Sequence, residues 1–201
     1  INGDLNLSIL ISVTLIVMLI SAFALGSSMY SMRNIQSMAF QIPEFGFLAL
    51  AMMLPNLIGG IDLSIIANAN TSAIFTAYVL NGTLSFGTVG VVRFIFALVF
   101  AVVCSIVFGL FNGLLIAKTS APSLIATLGT MTLFQGIGMA ITGGTSVGGI
   151  EAGYAVIGRT LILNVPLIFW IFLIVTIVLG IVMSQTGFGR TLYLSGDNAT
   201  A

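Results

Sequence analysis

The stretch Gly59-Gly60-Ile61-Asp62-Leu63-Ser64 decides how this chain is read. Two helix-loosening glycines, a carboxylate and a hydroxyl stand inside a sequence that otherwise reads as continuous hydrocarbon. An ionisable side chain near the centre of a spanning helix costs roughly 2.5 to 3.5 kcal/mol on insertion scales, so Asp62 has to be paired, capped or turned toward water. The glycines free backbone groups that must line a cavity or be capped, and Asp62 can accept hydrogen bonds from the first N–H groups of the helix that follows. Capping and direct contact with a passing substrate are both open, and the two are compatible.

Outward from that block, composition places the chain in lipid. Charged residues make up 5% of the 201 and hydrophobic residues 59%, against about a quarter charged in ordinary soluble domains. Apolar runs at 7–25, 94–116 and 167–183 are long enough, at about 1.5 Å per residue, to cross or nearly cross a hydrocarbon layer of ~30 Å. They do not alternate with period two, so helices rather than strands satisfy the backbone. An all-α, polytopic transmembrane bundle with a broken helix at 59–64 is expected. The absence of histidine removes the usual proton relay and catalytic base, and the single Cys104 reads as a small packing residue. A formal net charge of zero implies neither nucleic acid nor an anionic surface as partner. Ala22-Phe23-Ala24 resembles a cleavage site, but the apolar run before it is too long and no basic region precedes it.

Six membrane segments are expected, at 7–25, 43–58, 65–80, 91–116, 122–141 and after Pro166, with a polar connection over 26–41. Pro55 should kink the second. The first half of the third, Asn68-Ala69-Asn70-Thr71-Ser72, is too polar for lipid and must face protein or water. Ala97, Ala101, Ser105, Gly109 and Gly113 recur every four residues and form a packing face. Ser120 suits a cap and Pro122 the first turn of the fifth segment. There Ser123, Thr127 and Thr130 make one narrow polar face that either lines a path or bonds back to its own helix. Residues 142–153 read as a loop, with a short strand or helix before Arg159, and Trp170 suits an interface. If the N-terminus is cytoplasmic and every segment crosses, Lys118 and Arg190 lie inside and Arg33, Arg93 and Arg159 outside, mildly against the positive-inside rule.

Four blocks carry a family resemblance. Gly59 to Ser64, Asn112-Gly113-Leu114-Leu115-Ile116-Ala117-Lys118 and Pro122-Ser123-Leu124-Ile125-Ala126-Thr127-Leu128-Gly129-Thr130-Met131 resemble, in order, signatures of bacterial permeases for ribose and related monosaccharides. Gly189-Arg190-Thr191-Leu192-Tyr193-Leu194-Ser195-Gly196-Asp197-Asn198-Ala199 is similar to the cytoplasmic loop by which such permeases contact an ATP-binding subunit. The resemblance implies a membrane subunit of an ATP-binding-cassette importer in the bacterial inner membrane. Its implied partners are two ATPase subunits, a second permease copy or a related permease, and a periplasmic or lipid-anchored sugar-binding protein. It implies no enzyme activity and no cofactor in this chain, ATP being used by the partner. The only lysine, Lys118, follows Ala117, so no Gly-Lys-Ser or Gly-Lys-Thr loop is present to hold ATP phosphates.

On this resemblance the path runs past Gly59, Gly60, Asp62 and Ser64, then Asn68, Asn70 and Thr71, and the hydroxyl face of Ser123, Thr127 and Thr130. ATPase coupling falls to 187–201, with Gly189, Arg190, Tyr193, Gly196, Asp197 and Asn198, where Arg190 and its flanking glycines form a short turn. Family members continue with further spans, so 1–201 is expected to be part of one permease domain. Many of them have glycine and small apolar residues after Ser64 where this chain has Asn68, Asn70 and Thr71, so the substrate does not carry over. A nucleoside or branched-chain amino acid permease, and an ion-coupled secondary transporter using Asp62, are the alternatives.

Overall fold

The computed structural model describes residues 2–84, 87–119 and 121–197; Ser120 and Asn198, named above as cap and coupling residue, lie outside them. Helices dominate: α1 (Asn2–Leu25), α2 (Met32–Leu57), α3 (Ile65–Leu80), α4 (Gly90–Thr119), α5 (Ser123–Thr142), α6 (Ala152–Arg159), α7 (Leu167–Gln185) and α8 (Gly187–Asp197). Five of them, α1, α2, α4, α5 and α7, are long and apolar enough to cross a membrane. With 16 residues, α3 extends about 24 Å, short of a hydrocarbon layer of ~30 Å. The third expected segment is thus a short inner helix whose ends need protein or water around them.

The second helix begins at Met32, eleven residues before the expected start at Pro43. Ser31 caps it, its side chain accepting the N–H of Asn34 at 3.3 Å. Arg33, Asn34 and Gln36 therefore ride on helical turns rather than in a connection. Pro55 lies in the last turn, and its carbonyl accepts the N–H groups of Ile58 at 3.1 Å and Gly60 at 2.9 Å. It marks the end of α2 rather than a bend within the span.

Contacts along the helices fix their directions. Ser64 meets Asn112 and Ser72 meets Ser105, so α3 runs antiparallel to α4. Ile61 meets Ser123, Thr71 meets Phe134 and Tyr78 meets Ile141, so α3 and α5 are parallel. Gln36 reaches the turn before α7, Gly46 abuts Phe172, and α8 reaches Leu57, so α2 and α7 run side by side in one direction. The expected interruption at 59–64 is present, as the hairpin that reverses the chain from α2 into α3. Lys118 and Arg190 share the end of the bundle where this hairpin lies; Arg33, Arg93 and Arg159 occupy the other.

The core gathers where α3 packs between α4 and α5, around Ala67, Val79, Ala97, Ala126 and Phe134. The upper part of the small-residue stripe serves this contact: Ala97 is buried, and Ala101 and Ser105 face α3. The expected packing face stops there, because a Cβ on Gly109 or Gly113 would meet nothing within 4 Å. Those two glycines border open space instead. By contrast, nothing in the apolar window of α1 is buried within the chain.

Past α5, Gly143 adopts the left-handed conformation (φ 62°) of a helix C-cap. The short helix expected before Arg159 is α6, followed by a two-stranded hairpin, β1 (Leu161–Ile162) and β2 (Val165–Pro166), turned by Leu163 and Asn164 at positive φ. Trp170 Nε1 donates to the Ile162 carbonyl at 3.3 Å, tying this hairpin to the start of α7.

Candidate functional site

The hairpin between α2 and α3 is held by an almost complete hydrogen-bond set. Gly59, at φ 75°, makes the left-handed turn that a side chain resists. Its N–H bonds back to Asn56 at 3.1 Å. Beyond Gly60 the donors turn to α5: the Ile61 N–H reaches Ser123 Oγ at 3.1 Å and the Leu63 N–H reaches Thr127 Oγ1 at 3.2 Å. The Thr127 hydroxyl in turn donates within its own helix, to the Ser123 carbonyl at 2.7 Å. Two open readings of the hydroxyl face are joined here by a third role, since Ser123 and Thr127 satisfy backbone donors of a neighbouring segment. Thr130, buried, bonds back to the Thr127 carbonyl at 3.2 Å.

Asp62 closes the hairpin from the other side. Its Oδ1 accepts the Ser64 N–H at 2.9 Å and the Ser64 hydroxyl at 2.7 Å, immediately before α3 begins. Asn112 of α4 donates its side-chain amide to the same Ser64 oxygen. The carboxylate is half-buried and sits level with Asn112, seven residues or about 10 Å from the end of α4, not halfway along a span. Asn112 belongs to the second sequence block, but its side chain was not picked out as a site residue. The signal was an amide on an otherwise apolar helix, beside Gly113 in the small-residue stripe.

Of the cavities that flank α3 among the described residues, two take in residues expected along a path. One, of about 440 Å³, lies beside the hairpin and is lined by Gly59, Gly60, Asp62, Asn112, Gly113 and Ser123 among others. The second, of about 610 Å³, lies toward the opposite end, between α3, α5 and the loop after it, and takes in Asn70, Thr71, Gln135 and Thr142. Between them Ser64, Ala67, Thr127, Thr130 and Phe134 form a buried layer. The residues expected along a path are therefore divided over two chambers and the layer separating them. Asn68 joins neither: it donates to the Ser105 carbonyl at 3.3 Å and accepts the Ser72 hydroxyl at 3.2 Å, cementing α3 to α4. Thr71 likewise donates to the Phe134 carbonyl at 2.9 Å while lining the second cavity.

The carboxyl-terminal block is a helix of 11 residues, not the short turn expected around Arg190. Thr186 starts it, its hydroxyl accepting the N–H of Gly189 at 3.4 Å. Gly189 and Gly196 are contact points rather than hinges. A Cβ at Gly189 would fall on the Met183 carbonyl, and one at Gly196 on the Leu57 carbonyl. Thus α8 is seated against the last turn of α2, directly before the 59–64 hairpin. Arg190 and Tyr193 are exposed; the side chain of Asp197 lies outside the described residues.

Comparison with known proteins agrees with the blocks quoted above. The autoinducer 2 import system permease protein LsrC of Salmonella typhimurium is 29% identical over 175 residues, covering 87% of this chain and 48% of that protein. The protein of the same name from Escherichia coli O157:H7 is 31% identical over 151 residues, 75% of this chain and 42% of the relative. The chain spans about half the length, or somewhat less, of the curated relatives it matches. No solved structure matches it. Residues 34–201 match the family described as the branched-chain amino acid transport system / permease component. With five spanning helices, a hairpin rich in hydroxyl contacts and that match over most of its length, the chain belongs to this permease family.

Proposed function

We infer that the chain is part of the membrane subunit of an ATP-binding-cassette importer that carries a monosaccharide or a similar small polyol across the bacterial inner membrane. Partner ATPase subunits hydrolyse ATP, a binding protein delivers the sugar from outside, and a second permease copy or a related permease completes the path. The observation that carries this reading is the seat of α8 on α2. A helix displayed at one end of the bundle, with Arg190 and Tyr193 exposed, touches the last residues before the hairpin that borders the inner cavity. Movement imposed on α8 reaches that cavity through a single turn of helix. Family membership and the relatives named for autoinducer 2 import support the direction and the class of cargo.

The residues divide by role accordingly. Asn70 and Thr71 face the outer chamber, Asp62 and Ser123 the inner one, and the layer of Thr127, Thr130 and Phe134 separates them in this conformation. Gly189, Arg190, Tyr193, Gly196, Asp197 and Asn198 serve the ATPase. The test is co-purification of the intact permease with its ATPase and binding protein, followed by sugar-dependent ATP hydrolysis in proteoliposomes. Uptake that continues without the ATPase and collapses with an ion gradient would assign Asp62 to ion coupling instead.

A further inference from the structure

Asn112 is 4% exposed, and while its amide nitrogen donates to Ser64, its Oδ1 has no hydrogen-bond partner among the described residues. Exchanging the amide oxygen and nitrogen only moves the deficit to the nitrogen, because the neighbouring Ser64 hydroxyl has one proton to give. Buried acceptors left unmatched are rare in folded chains. This one belongs to a residue lining the inner cavity, where Asp62 uses only Oδ1 internally and leaves Oδ2 without a hydrogen bond among the described residues. Gly109 and Gly113 leave the facing wall bare. At about 440 Å³ the space far exceeds the ~30 Å³ share of one water molecule.

The two open groups are both acceptors, so a ligand must bring donors. A carboxylate or phosphate would meet Asp62 with no lysine or arginine in the cavity wall to offset it. Among the described residues no cluster of three metal-ligating side chains forms, which leaves Asp62 a lone carboxylate and disfavours a cation. We propose that the chamber is a subsite for the vicinal diol of a neutral sugar, one hydroxyl donating to Asp62 Oδ2 and its neighbour exchanging hydrogen bonds with the Asn112 amide, which swings out of its buried position so that its oxygen accepts a sugar proton and its N–H meets a sugar oxygen. The assignment rests on the sugar-importer reading and adds the residue and the hydroxyl pattern that reading leaves open.

The experiment uses the intact permease with its ATPase and binding protein in proteoliposomes, and measures kcat/KM for uptake of D-ribose, D-xylose and their mono-deoxy analogues. Each ratio of parent sugar to deoxy sugar is compared between wild type and Asn112→Leu, so that the preference of the binding protein cancels. For one analogue the ratio is expected to fall about five- to tenfold in the variant, because the hydroxyl has lost its partner. Asn112→Ser reads the same ratio should the leucine variant not assemble. Gly113→Leu, which fills the chamber while leaving Asp62 and Asn112 in the sequence, is expected to lower uptake at least about tenfold in an assembled complex. Ratios unchanged for every analogue, or full uptake by Gly113→Leu, overturn the subsite and leave the importer standing. Sodium-dependent uptake lost in Asp62→Asn reassigns the chamber to a cation. Failure of wild type to take up any of these sugars, while the complex still hydrolyses ATP, overturns the sugar reading and the subsite together.

Discussion

Gly196 presses on the main-chain carbonyl of Leu57, two residues before the chain turns left-handed at Gly59. The contact is backbone against backbone, so no flexible side chain is present to yield. Gly196→Ala is therefore expected to shift α8 off α2, with sugar-stimulated ATP hydrolysis falling about tenfold or more while the permease still inserts. Hydrolysis rates in proteoliposomes, beside a gel-filtration check of assembly, measure this directly.

Gly59 and Gly60 are adjacent but not equivalent. Gly59 needs positive φ in open space, whereas Gly60 has ordinary φ, with the nearest atoms to a Cβ at 3.5 Å. Gly59→Ala should cost about 1 kcal/mol from backbone strain alone, and Gly60→Ala should be close to neutral. Thermal unfolding in detergent discriminates them; equal losses would remove the distinction.

Ser123→Ala takes the acceptor from the Ile61 N–H, and Thr127→Val takes it from the Leu63 N–H. Thr127→Val is expected to destabilise by about 1 to 3 kcal/mol, the cost of an unmatched donor in a part-buried place, and Ser123→Ala by less, because the Ile61 N–H is exposed. Thr127→Ser, which keeps the hydroxyl, should recover most of that loss. A melting series over the three variants is the measurement.

Arg190→Glu changes an exposed residue of α8. Insertion and melting temperature should stay near wild type, while ATPase co-purification or coupled hydrolysis falls severalfold. Undiminished coupling would place the ATPase contact elsewhere.

Arg93 and Glu151 form an ion pair at 3.3 Å at the opposite end, with Arg93 13% and Glu151 63% exposed. Glu151→Gln should change stability by no more than about 1 kcal/mol, as expected of a pair open to solvent. Transport should be unaffected, which makes this variant a control for the others.

Much of the fold was legible because hydrocarbon length is a direct signal: the spans at α4, α5 and α7 fall close to where the apolar runs place them. The start of α2 was not, because Arg33, Asn34 and Gln36 read as a connection when only hydropathy is weighed; the Ser31 cap was the overlooked cue. The block 59–64 announced an interruption, yet nothing local to it tells a hairpin from an unwound point in one rod, since that depends on contacts with Ser123 and Thr127 sixty residues away. Asp62 stood out by its charge. Asn112 did not, because an uncharged amide in an apolar helix becomes conspicuous only once its buried, unmatched oxygen is seen. In the same way, the glycines flanking Arg190 suggested a short turn, whereas Gly189, like Gly196, provides close approach to another stretch of backbone.

The hydroxyl bonds from α5 to the 59–64 segment carry a mechanical corollary. Because Ser123 and Thr127 are clamped to Ile61 and Leu63, bending at the glycines alone would strand donors in a water-poor interior, so the loop and the start of α5 have to travel as one stiff unit. Opening of the inner vestibule then takes the form of a lever swinging against α4, with Asn112 marking the seam along which the two bodies part.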